Sequence, residues 1–342
     1  MNKQKYIDLI DFNELNNFKK IILVTGKESF KKNKFALDIL DNFHDKITHL
    51  KKDNLPTDIS YVHKTISQNN IKDINCIISI GGGNVIDFAK ALIYFSNSKT
   101  KYFLCIPTTC GSGSESTNFF VIYENRLKKS LSSKIILPNS ILLDYSNLLG
   151  LDRKILISSY VDALSQSMES FWSKNSTKES KELSLKALKH LIRAKTNLIN
   201  YKKRSLHDAQ IGSNLAGKAI NISKTTAPHA FSYYFNQYNI PHGIAVNITT
   251  PFFMKYIYNK ASNKLEEDLN NLSYNLIRKD FNSFIDFYKS ILTSLGDESI
   301  KEFKKIKNFS FENFYNSVNK ERLKNTPVKI SKQFLKNYLD AL

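Results

Sequence analysis

The sequence predicts two domains: an α/β N-terminal domain with a parallel sheet over residues 1–151, and an all-α C-terminal domain over residues 152–342. Three observations predict this organisation. A chain of 342 residues is longer than one hydrophobic core usually supports. In the first half, short apolar runs alternate with amphipathic stretches, which is typical of parallel strands connected by helices. After Asp152 these runs give way to long stretches with helical spacing.

The individual elements follow from these patterns. We expect parallel strands in KIILVTG (20–26), DISYVHK (58–64), NCIISIGGG (75–83) and KYFLCIPTT (101–109). We expect helices at 29–43 and 84–95 in the first domain, and at 155–172, 181–199 and 281–295 in the second. Ligands of a doubly wound sheet bind at the carboxyl ends of its strands, so the functional loops should follow these runs.

Composition and charge argue against a membrane protein and against a nucleic-acid-binding protein. No stretch approaches the roughly 20 apolar residues of a membrane span, and the N-terminus lacks the apolar core of a secretory signal. We therefore expect a cytoplasmic protein with no membrane partner. The net charge of +19 attracts anions, but no zinc-finger spacing or RNA-binding aromatic motif accompanies it. We expect no nucleic-acid partner; the alternative, nucleic-acid binding through charge alone, predicts an affinity that collapses with salt.

A glycine turn follows the third predicted strand. The apolar run leads straight into Gly81, Gly82, Gly83 and Asn84, after which the chain becomes helical. Backbone N–H groups at such a helix N-terminus bind phosphate, and glycine has no Cβ to block its approach. The turn therefore suits a pyrophosphate, and Asp87 would cap the helix or contact the ligand. The alternative is an ordinary tight turn between a strand and a helix.

A second loop, PTTCGSGSEST at 107–117, follows the fourth predicted strand. It combines small hydroxyl side chains with two glycines, so it can wrap the phosphates, ribose or nicotinamide end of a nucleotide. Thr108, Thr109 and Ser112 are the candidate contacts. The alternative is a flexible serine-rich turn.

Four polar residues of the second half form a candidate metal site. Asp162 and Gln166 are spaced i and i+4 on a predicted helix, and therefore share a face. His229 and His242 lie far downstream, each beside a proline. A carboxylate, two imidazoles and a further oxygen donor suit Zn²⁺ or Fe²⁺, which would polarise a carbonyl. Taken singly, each histidine is better explained by a hydrogen-bonded core position, and only the whole set supports a metal.

Together these motifs resemble the metal-dependent, iron-containing (group III) alcohol dehydrogenases, and the resemblance runs nearly end to end. It is carried by the PTTCGSGSE loop, the DALSQSMES helix, the paired histidine motifs and the closing NTPVKISKQFL. It implies a Rossmann-like first domain, a dehydroquinate synthase-like two-domain architecture, an NAD(P)-dependent alcohol dehydrogenase or aldehyde reductase, and a homodimer.

The resemblance also implies roles for single residues. The metal ligands would be Asp162, His229 and His242. The cofactor-binding residues would be Gly82, Gly83, Asn84, Asp87, Thr108, Thr109, Ser112 and Lys128.

Three positions depart from the family pattern. Gln166 stands where the family usually has histidine; its neutral carbonyl is a weaker ligand, which leaves Fe²⁺ and Zn²⁺ both open. Tyr233 stands where the family often has a second, proton-relaying histidine, and a phenol can both donate and accept a proton. Gly26 and Lys27 stand where many relatives carry an aspartate that would repel a 2′-phosphate. With Ser29 or Lys31 nearby, NADPH is allowed beside NADH.

The substrate expectation comes from local similarity. The stretches NISKTTAPHAFSYY, SQSMES and VTGKESF resemble the phosphonoacetaldehyde reductase (2-hydroxyethylphosphonate dehydrogenase) branch of the family. Lys224, flanked by hydroxyl side chains, would hold the phosphonate of a small anionic aldehyde, unless it is a solvated loop charge. The expected reaction reduces phosphonoacetaldehyde to 2-hydroxyethylphosphonate, with His229, His242 and Tyr233 at the catalytic centre.

Other functions stay open at this point. Within the family, the substrate could be another small aldehyde, a polyol or a sugar acid. A dehydroquinate synthase-like cyclase would use NAD without net consumption. A metal-free nucleotide-binding pseudoenzyme would bind nucleotide without turnover.

Overall fold

The computed structural model describes residues 4–8, 10–27, 29–71, 74–96, 100–125, 127–296 and 298–342. The chain forms two compact units, Met1–Leu149 and Gly150–Leu342, which lie close to the predicted domains. Within the described residues, no helix is long and apolar enough to cross a membrane.

The N-terminal unit is built on a parallel six-stranded sheet, which confirms the predicted α/β class. The strands are β1 Lys5–Tyr6, β2 Ile21–Gly26, β3 Ile47–Lys52, β4 Cys76–Gly81, β5 Tyr102–Pro107 and β8 Ser140–Ile141. Their order across the sheet is β1-β8-β5-β4-β2-β3. An antiparallel hairpin, β6 Phe119–Glu124 with β7 Leu127–Ser132, forms a separate two-stranded sheet.

Apolar layers cover both faces of the six-stranded sheet. Along β2, Ile22 and Val24 pack in one buried cluster, while Ile21 and Leu23 pack in another. A central parallel strand is buried on both faces, which is why it appears as a continuous apolar run in the sequence. The helices of this unit are α1 Phe12–Asn16, α2 Lys34–Phe43, α3 Ile59–Gln68 and α4 Gly83–Phe95.

One predicted strand is wrong: DISYVHK at 58–64 begins helix α3. Asp58 caps the helix, accepting a hydrogen bond from Ser60 N at 2.9 Å. The apolar residues Ile59, Val62 and Ile66 recur at helical spacing and pack against the core. The strand of this region is β3, whose sequence ITHLKK is polar because it lies at the edge of the sheet and is only partly buried.

The C-terminal unit contains only helices within its described part, as predicted. The first, α5 Arg153–Trp172, is buried over most of its length and packs against α6 and α7. The others are α6 Lys178–Ala194, α7 Lys203–Ser223, α8 Ala227–Ser232, α9 His242–Asn247, α10 Thr250–Asn259, α11 Asn263–Ile277, α12 Phe281–Leu295, α13 Ser299–Lys304, α14 Phe311–Asn316, α15 Lys320–Lys324 and α16 Lys332–Asp340.

Candidate metal centre and nucleotide loops

Three of the predicted metal ligands meet inside the C-terminal unit. Asp162 lies in the middle of α5, His229 lies in α8, and His242 is the first residue of α9. One potential ligand atom from each lies within 4.8 Å of the other two. Asp162 and His229 are buried, and His242 is half-buried. The three side chains can therefore converge on one cation that remains accessible from one side.

A glycine lets α9 approach α5 closely enough to place His242 there. A Cβ built on Gly243 would lie 1.8 Å from Ser158 O and 2.9 Å from Asp162 Cβ. Gly243 N also donates to Ser158 Oγ at 3.2 Å. No larger residue fits at position 243 unless the two helices move apart.

The His229 ring is oriented by a buried carboxylate. Its Nδ1 is hydrogen-bonded to Glu169 Oε1, and its Nε2 lies 3.1 Å from Asp162 Oδ1. Glu169 has no exposed surface, and it also accepts hydrogen bonds from Thr226 N at 2.7 Å, Thr226 Oγ1 at 3.0 Å and Ser165 Oγ at 3.0 Å. Carboxylates commonly hold metal-binding histidines in this way, fixing which nitrogen faces the metal. Sequence reasoning missed Glu169, although its position seven residues after Asp162 places both on one face of α5.

The electrostatics of the cluster favour a cation. Burial opposes protonation of His229, but Glu169 and Asp162 raise its pKa to about 9. Burial likewise opposes ionisation of Asp162, yet its hydrogen bond to His229 and the nearby His242 hold the pKa of this carboxyl below its usual value. The Asp162 and Glu169 carboxyls, whose pKa values are both lowered, thus stabilise positive charge at this position, and a bound divalent cation would supply that charge in place of the His229 proton.

Gln166 places a buried carbonyl oxygen at this site. It lies one turn after Asp162 in α5 and is 4% exposed. Its carbonyl oxygen Oε1 is buried, and no hydrogen-bond partner for it lies among the described residues. A buried acceptor without a donor costs free energy, and a cation would compensate it. The donor set of Asp162, His229, His242 and Gln166 fits a divalent metal.

Two further predicted residues lie in the same unit. Tyr233 follows α8 in a short 3₁₀ turn, is half-buried, and has the guanidinium of Arg322 at 5.5 Å from its ring centroid. Lys224 follows the last residue of α7 and is also half-buried.

The two predicted nucleotide loops pack against each other in the N-terminal unit. A Cβ on Gly82 would lie 3.1 Å from Thr109 Cγ2, and one on Gly83 would lie 2.5 Å from Ser112 Oγ. Thr108 N donates to Gly81 O at 3.1 Å. The start of α4 and the hydroxyl-rich loop thus form one continuous surface at the carboxyl ends of β4 and β5.

Two charged residues of α4 hold the hydroxyl-rich loop from behind. Asp87 accepts hydrogen bonds from Ser114 Oγ at 2.5 Å and Val121 N at 2.9 Å. Lys90 is fully buried and donates to Ser114 O, Thr117 O and Phe119 O at 2.5, 2.7 and 3.0 Å. Burial raises the pKa of Asp87, while Lys90 and the half-buried Lys128 on β7 oppose this rise. The carboxylate of Asp87 is thus occupied in positioning the loop.

The remaining predicted cofactor residues lie at the start of α4 and at the end of β2. Asn84 accepts from Thr57 Oγ1 at 3.0 Å and donates to Leu55 O at 2.9 Å, which ties α4 to the connection between β3 and α3. Gly26 is the last residue of β2, and Lys27 is exposed, with its N–H donating to Lys52 O at 2.8 Å. Lys31 is exposed, and the Ser29 side chain lies outside the described residues.

Comparison with known proteins identifies the class. The model of the iron-containing alcohol dehydrogenases matches residues 8–145, and that of the C-terminal region of the Fe-containing alcohol dehydrogenase family matches residues 156–341. This chain belongs to the iron-containing alcohol dehydrogenase family, a family of oxidoreductases that bind a divalent metal and NAD(P).

Two relatives and one solved structure illustrate the similarity. The chain is 31% identical over 276 residues to 4-hydroxybutyrate dehydrogenase of Clostridium kluyveri, covering 73% of this chain and 74% of the relative. It is 27% identical over 210 residues to phosphonoacetaldehyde reductase of Streptomyces viridochromogenes, covering 52% of each. The fold matches sulfoacetaldehyde reductase from Bifidobacterium kashiwanohense, solved in complex with NAD⁺, with a TM-score of 0.85 and 21% identity, over 99% of this chain and 96% of that one.

Proposed function

We propose that this enzyme reduces a small aldehyde carrying an anionic group, and that phosphonoacetaldehyde, reduced to 2-hydroxyethylphosphonate, is its substrate. The observation that carries the reductase chemistry is the convergence of Asp162, His229 and His242, with His229 held by Glu169. Lys224, a half-buried cation five residues before His229, supports the anionic substrate.

Metal binding and proton donation in this reaction can each be assigned to residues of the chain. Asp162, His229 and His242 would hold the metal, with Gln166 Oε1 as a neutral fourth donor for Zn²⁺ or Fe²⁺. A bound metal would polarise the carbonyl, and the reduced nicotinamide would supply the hydride. Tyr233 would deliver the proton to the product oxygen, directly or through water.

The nucleotide would bind to the paired loops of the N-terminal unit. Gly82 and Gly83 open α4, where N–H groups without an intrahelical partner attract phosphate. Thr108, Thr109 and Ser112 add hydroxyl donors beside them, Asn84 and Lys128 complete the proposed contacts, and Asp87 would contribute by positioning the loop. Gly26 and Lys27 leave room and positive charge for a 2′-phosphate, so we propose that NADPH is accepted as well as NADH.

The similarity to 4-hydroxybutyrate dehydrogenase favours a second candidate substrate. That relative matches more of the chain than the phosphonoacetaldehyde reductase does. Its substrate carries a carboxylate, which a cation such as Lys224 would also bind. Reversible oxidation of 4-hydroxybutyrate is therefore the alternative activity within the same site. The cytoplasmic location, the homodimer, and the absence of nucleic-acid and membrane partners remain part of the proposal.

The test follows NADPH and NADH oxidation with metal-stripped protein, to which Zn²⁺ or Fe²⁺ is added back. We expect metal-dependent turnover, with phosphonoacetaldehyde or succinic semialdehyde preferred to propionaldehyde. A His229→Ala/His242→Ala variant should lose this turnover, while His207→Ala, an exposed histidine of the same unit, should retain it. Unchanged turnover in the double variant would refute the metal centre. Nucleotide binding without turnover of any aldehyde would favour the pseudoenzyme, and catalysis without net NAD(P)H consumption would favour the cyclase.

A further inference from the structure

Two cations of the C-terminal unit lie beside Thr225: Lys224 precedes it in the chain, and Arg322 donates a hydrogen bond to its hydroxyl. Lys224 follows α7, and Arg322 lies in α15, about one hundred residues later in the chain. Both side chains are half-buried, so water screens their charges less than at an open surface. Burial lowers the pKa of Lys224, Arg322 lowers it further, and Glu321 opposes the shift only in part. Two like charges held together out of bulk water mark a place where an anion would be stabilising.

The backbone of Lys224 is strained. Its φ of 62° and ψ of 174° fall in a region that almost only glycine adopts. The surrounding chain enforces this conformation: Asn325 Nδ2 donates to Ser223 O at 2.8 Å and to Thr225 O at 3.0 Å, on either side of the lysine. Strained residues of this kind cluster at binding and catalytic sites, and glycine would adopt this conformation at a lower cost. The position therefore retains a lysine side chain against a local cost.

Arg322 is fixed on two sides. One guanidinium nitrogen donates to Thr225 Oγ1, and the group lies 5.5 Å from the ring centroid of Tyr233. Among the described residues, its guanidinium has no carboxylate partner within ion-pair distance. A pinned arginine presents its remaining N–H groups in a fixed fork, which matches the oxygens of an oxyanion.

The cation pair is connected to the metal centre through a short stretch of chain. Thr225, which binds Arg322, precedes Thr226, whose N–H and hydroxyl donate to Glu169. Glu169 in turn holds His229. The turn at 225–226 thus contacts both Arg322 and the carboxylate that holds His229.

We propose that Lys224 and Arg322 act as a clamp for a tetrahedral oxyanion, phosphonate or sulfonate, on the tail of the aldehyde. This assignment rests on the proposed reductase function and adds Arg322 as a specificity-determining residue. The clamp would hold the anionic tail of the aldehyde. Tyr233, whose ring lies beneath the Arg322 guanidinium, would lie beside this tail as the proton donor. A phosphonate would bring two negative charges to these two cations and a sulfonate one, and a planar carboxylate would present fewer acceptor oxygens to their donors.

Two variants and one control test the clamp. Arg322→Gln removes the charge, and Lys224→Gly removes the charge while relieving the strain; Lys324→Gln removes an exposed charge from the same helix. We measure kcat and KM for phosphonoacetaldehyde, sulfoacetaldehyde, succinic semialdehyde and propionaldehyde. The kcat/KM ratio of phosphonoacetaldehyde to propionaldehyde should fall about ten- to a hundredfold in each clamp variant, mainly through KM. The ratio should not change in Lys324→Gln.

Two further readouts separate binding from folding. The affinity for 2-hydroxyethylphosphonate, measured by titration calorimetry, should fall in parallel with kcat/KM. Lys224→Gly should melt no lower than the wild type, because glycine adopts the backbone conformation without strain. For an Arg322→Ala variant, added guanidinium should restore part of the lost affinity.

The outcomes distinguish this inference from the proposed function. If the wild type reduces aldehydes but both clamp variants keep its substrate ratio, the clamp is refuted and the reductase stands. If the wild type reduces no aldehyde, the proposed function itself fails, and unchanged affinity of the variants for 2-hydroxyethylphosphonate would refute the clamp as well. A fall that is larger for succinic semialdehyde than for phosphonoacetaldehyde would overturn the tetrahedral assignment.

Discussion

A single buried carboxylate, that of Glu169, fixes which ring nitrogen of His229 is available to bind a metal. Because Nδ1 is hydrogen-bonded to Glu169, the other ring nitrogen, Nε2, faces Asp162 and is the atom available to a metal. Glu169 is itself held by Thr226 and Ser165, so the ring has little freedom to turn. The metal centre therefore depends on a residue that does not bind the metal.

Replacing Glu169 with glutamine should weaken metal binding by about ten- to a hundredfold. An amide cannot accept from both His229 Nδ1 and the Thr226 N–H without placing its NH₂ group against a donor. The proton would then shift to Nε2, the metal-binding atom. The dissociation constant of Zn²⁺, measured by competition with a chelator, tests this, and Glu179→Gln on the exposed face of α6 is the control. Equal affinities for variant and wild type would contradict the role of Glu169.

The sequence identifies the site residues whose neighbours form a motif, and it misses those whose partners are distant in the chain. Asp162, His229 and His242 are predicted from local patterns, and their ligand atoms do lie together. Arg322 reaches Thr225 across nearly one hundred residues and has no local signal. For Glu169 the sequence does contain a local signal, because this residue lies on the same face of α5 as Asp162. The cofactor roles of the loop residues stay predictions.

At the scale of elements, α4 controls the hydroxyl-rich loop through a buried lysine. Lys90 is fully buried in the N-terminal unit. It donates to three backbone carbonyl groups, those of Ser114 and Thr117 in the loop and that of Phe119 at the start of β6. A buried cation is tolerated because each of these oxygens is paired with it. The helix that would bind phosphate at its N-terminus thus also shapes the second nucleotide loop.

Lys90→Met should lower the free energy of unfolding by about 3 kcal/mol or more, since several buried carbonyl groups lose their donor. Urea denaturation measures this change. For protein that remains folded, we also expect a raised KM for NAD(P)H, because the loop is no longer held. Lys64→Met, at an exposed position of α3, is the matched control. A variant as stable as the control would show that the loop does not depend on Lys90.

An ion-pair network joins α6 to α7 and should be visible in the pH dependence of stability. Asp208 is buried, which would raise its pKa, but Arg193 and His190 hold it below the usual value. A lowered pKa stabilises the fold above the unfolded-state value, near pH 4, and this contribution is lost as pH falls through the folded-state value.

Asp208→Asn should therefore destabilise the protein by about 1–2 kcal/mol at pH 7, and by progressively less below about pH 4. Urea unfolding of both proteins at several pH values between 7 and 3 measures the difference. A difference that stays constant over this range would mean that the ionised carboxylate is not the stabilising species.

Fully buried strands are predicted correctly from the sequence, whereas the partly buried edge strand β3 and the helix α3 are not. The central strands β2, β4 and β5 are fully buried, and their apolar runs predict them correctly. The edge strand β3 has too few apolar residues to be recognised. The sequence predicts a strand at 58–64 because β-branched residues such as Ile59 and Val62 favour strands, whereas Asp58 is the N-cap of helix α3.

At the scale of the whole molecule, each of the two units has its own candidate ligand. The metal residues all belong to the C-terminal unit and the glycine turn to the N-terminal one. A ligand that binds only the folded state stabilises the unit that holds it. Metal and nucleotide should therefore affect thermal unfolding separately.

Removing the metal should lower the melting temperature by about 5–10 °C, the shift expected for a ligand present at about one hundred times its dissociation constant. Differential scanning calorimetry with and without EDTA, followed by addition of Zn²⁺, measures this shift. The His229→Ala/His242→Ala variant should show no response to EDTA. A shift of equal size in that variant would place the stabilising metal elsewhere.

The contact between Gly83 and Ser112 links two distant segments of the sequence. Because the missing Cβ at position 83 is the space that the serine hydroxyl occupies, neither residue can be chosen without regard to the other. In a library that randomises both positions independently, we expect recovered functional clones to carry a residue larger than glycine at position 83 only where position 112 is smaller than serine. Sequencing those clones would reveal this statistical coupling, and independent distributions at the two positions would contradict it. Attempts to alter nucleotide preference by design should change the two loops together.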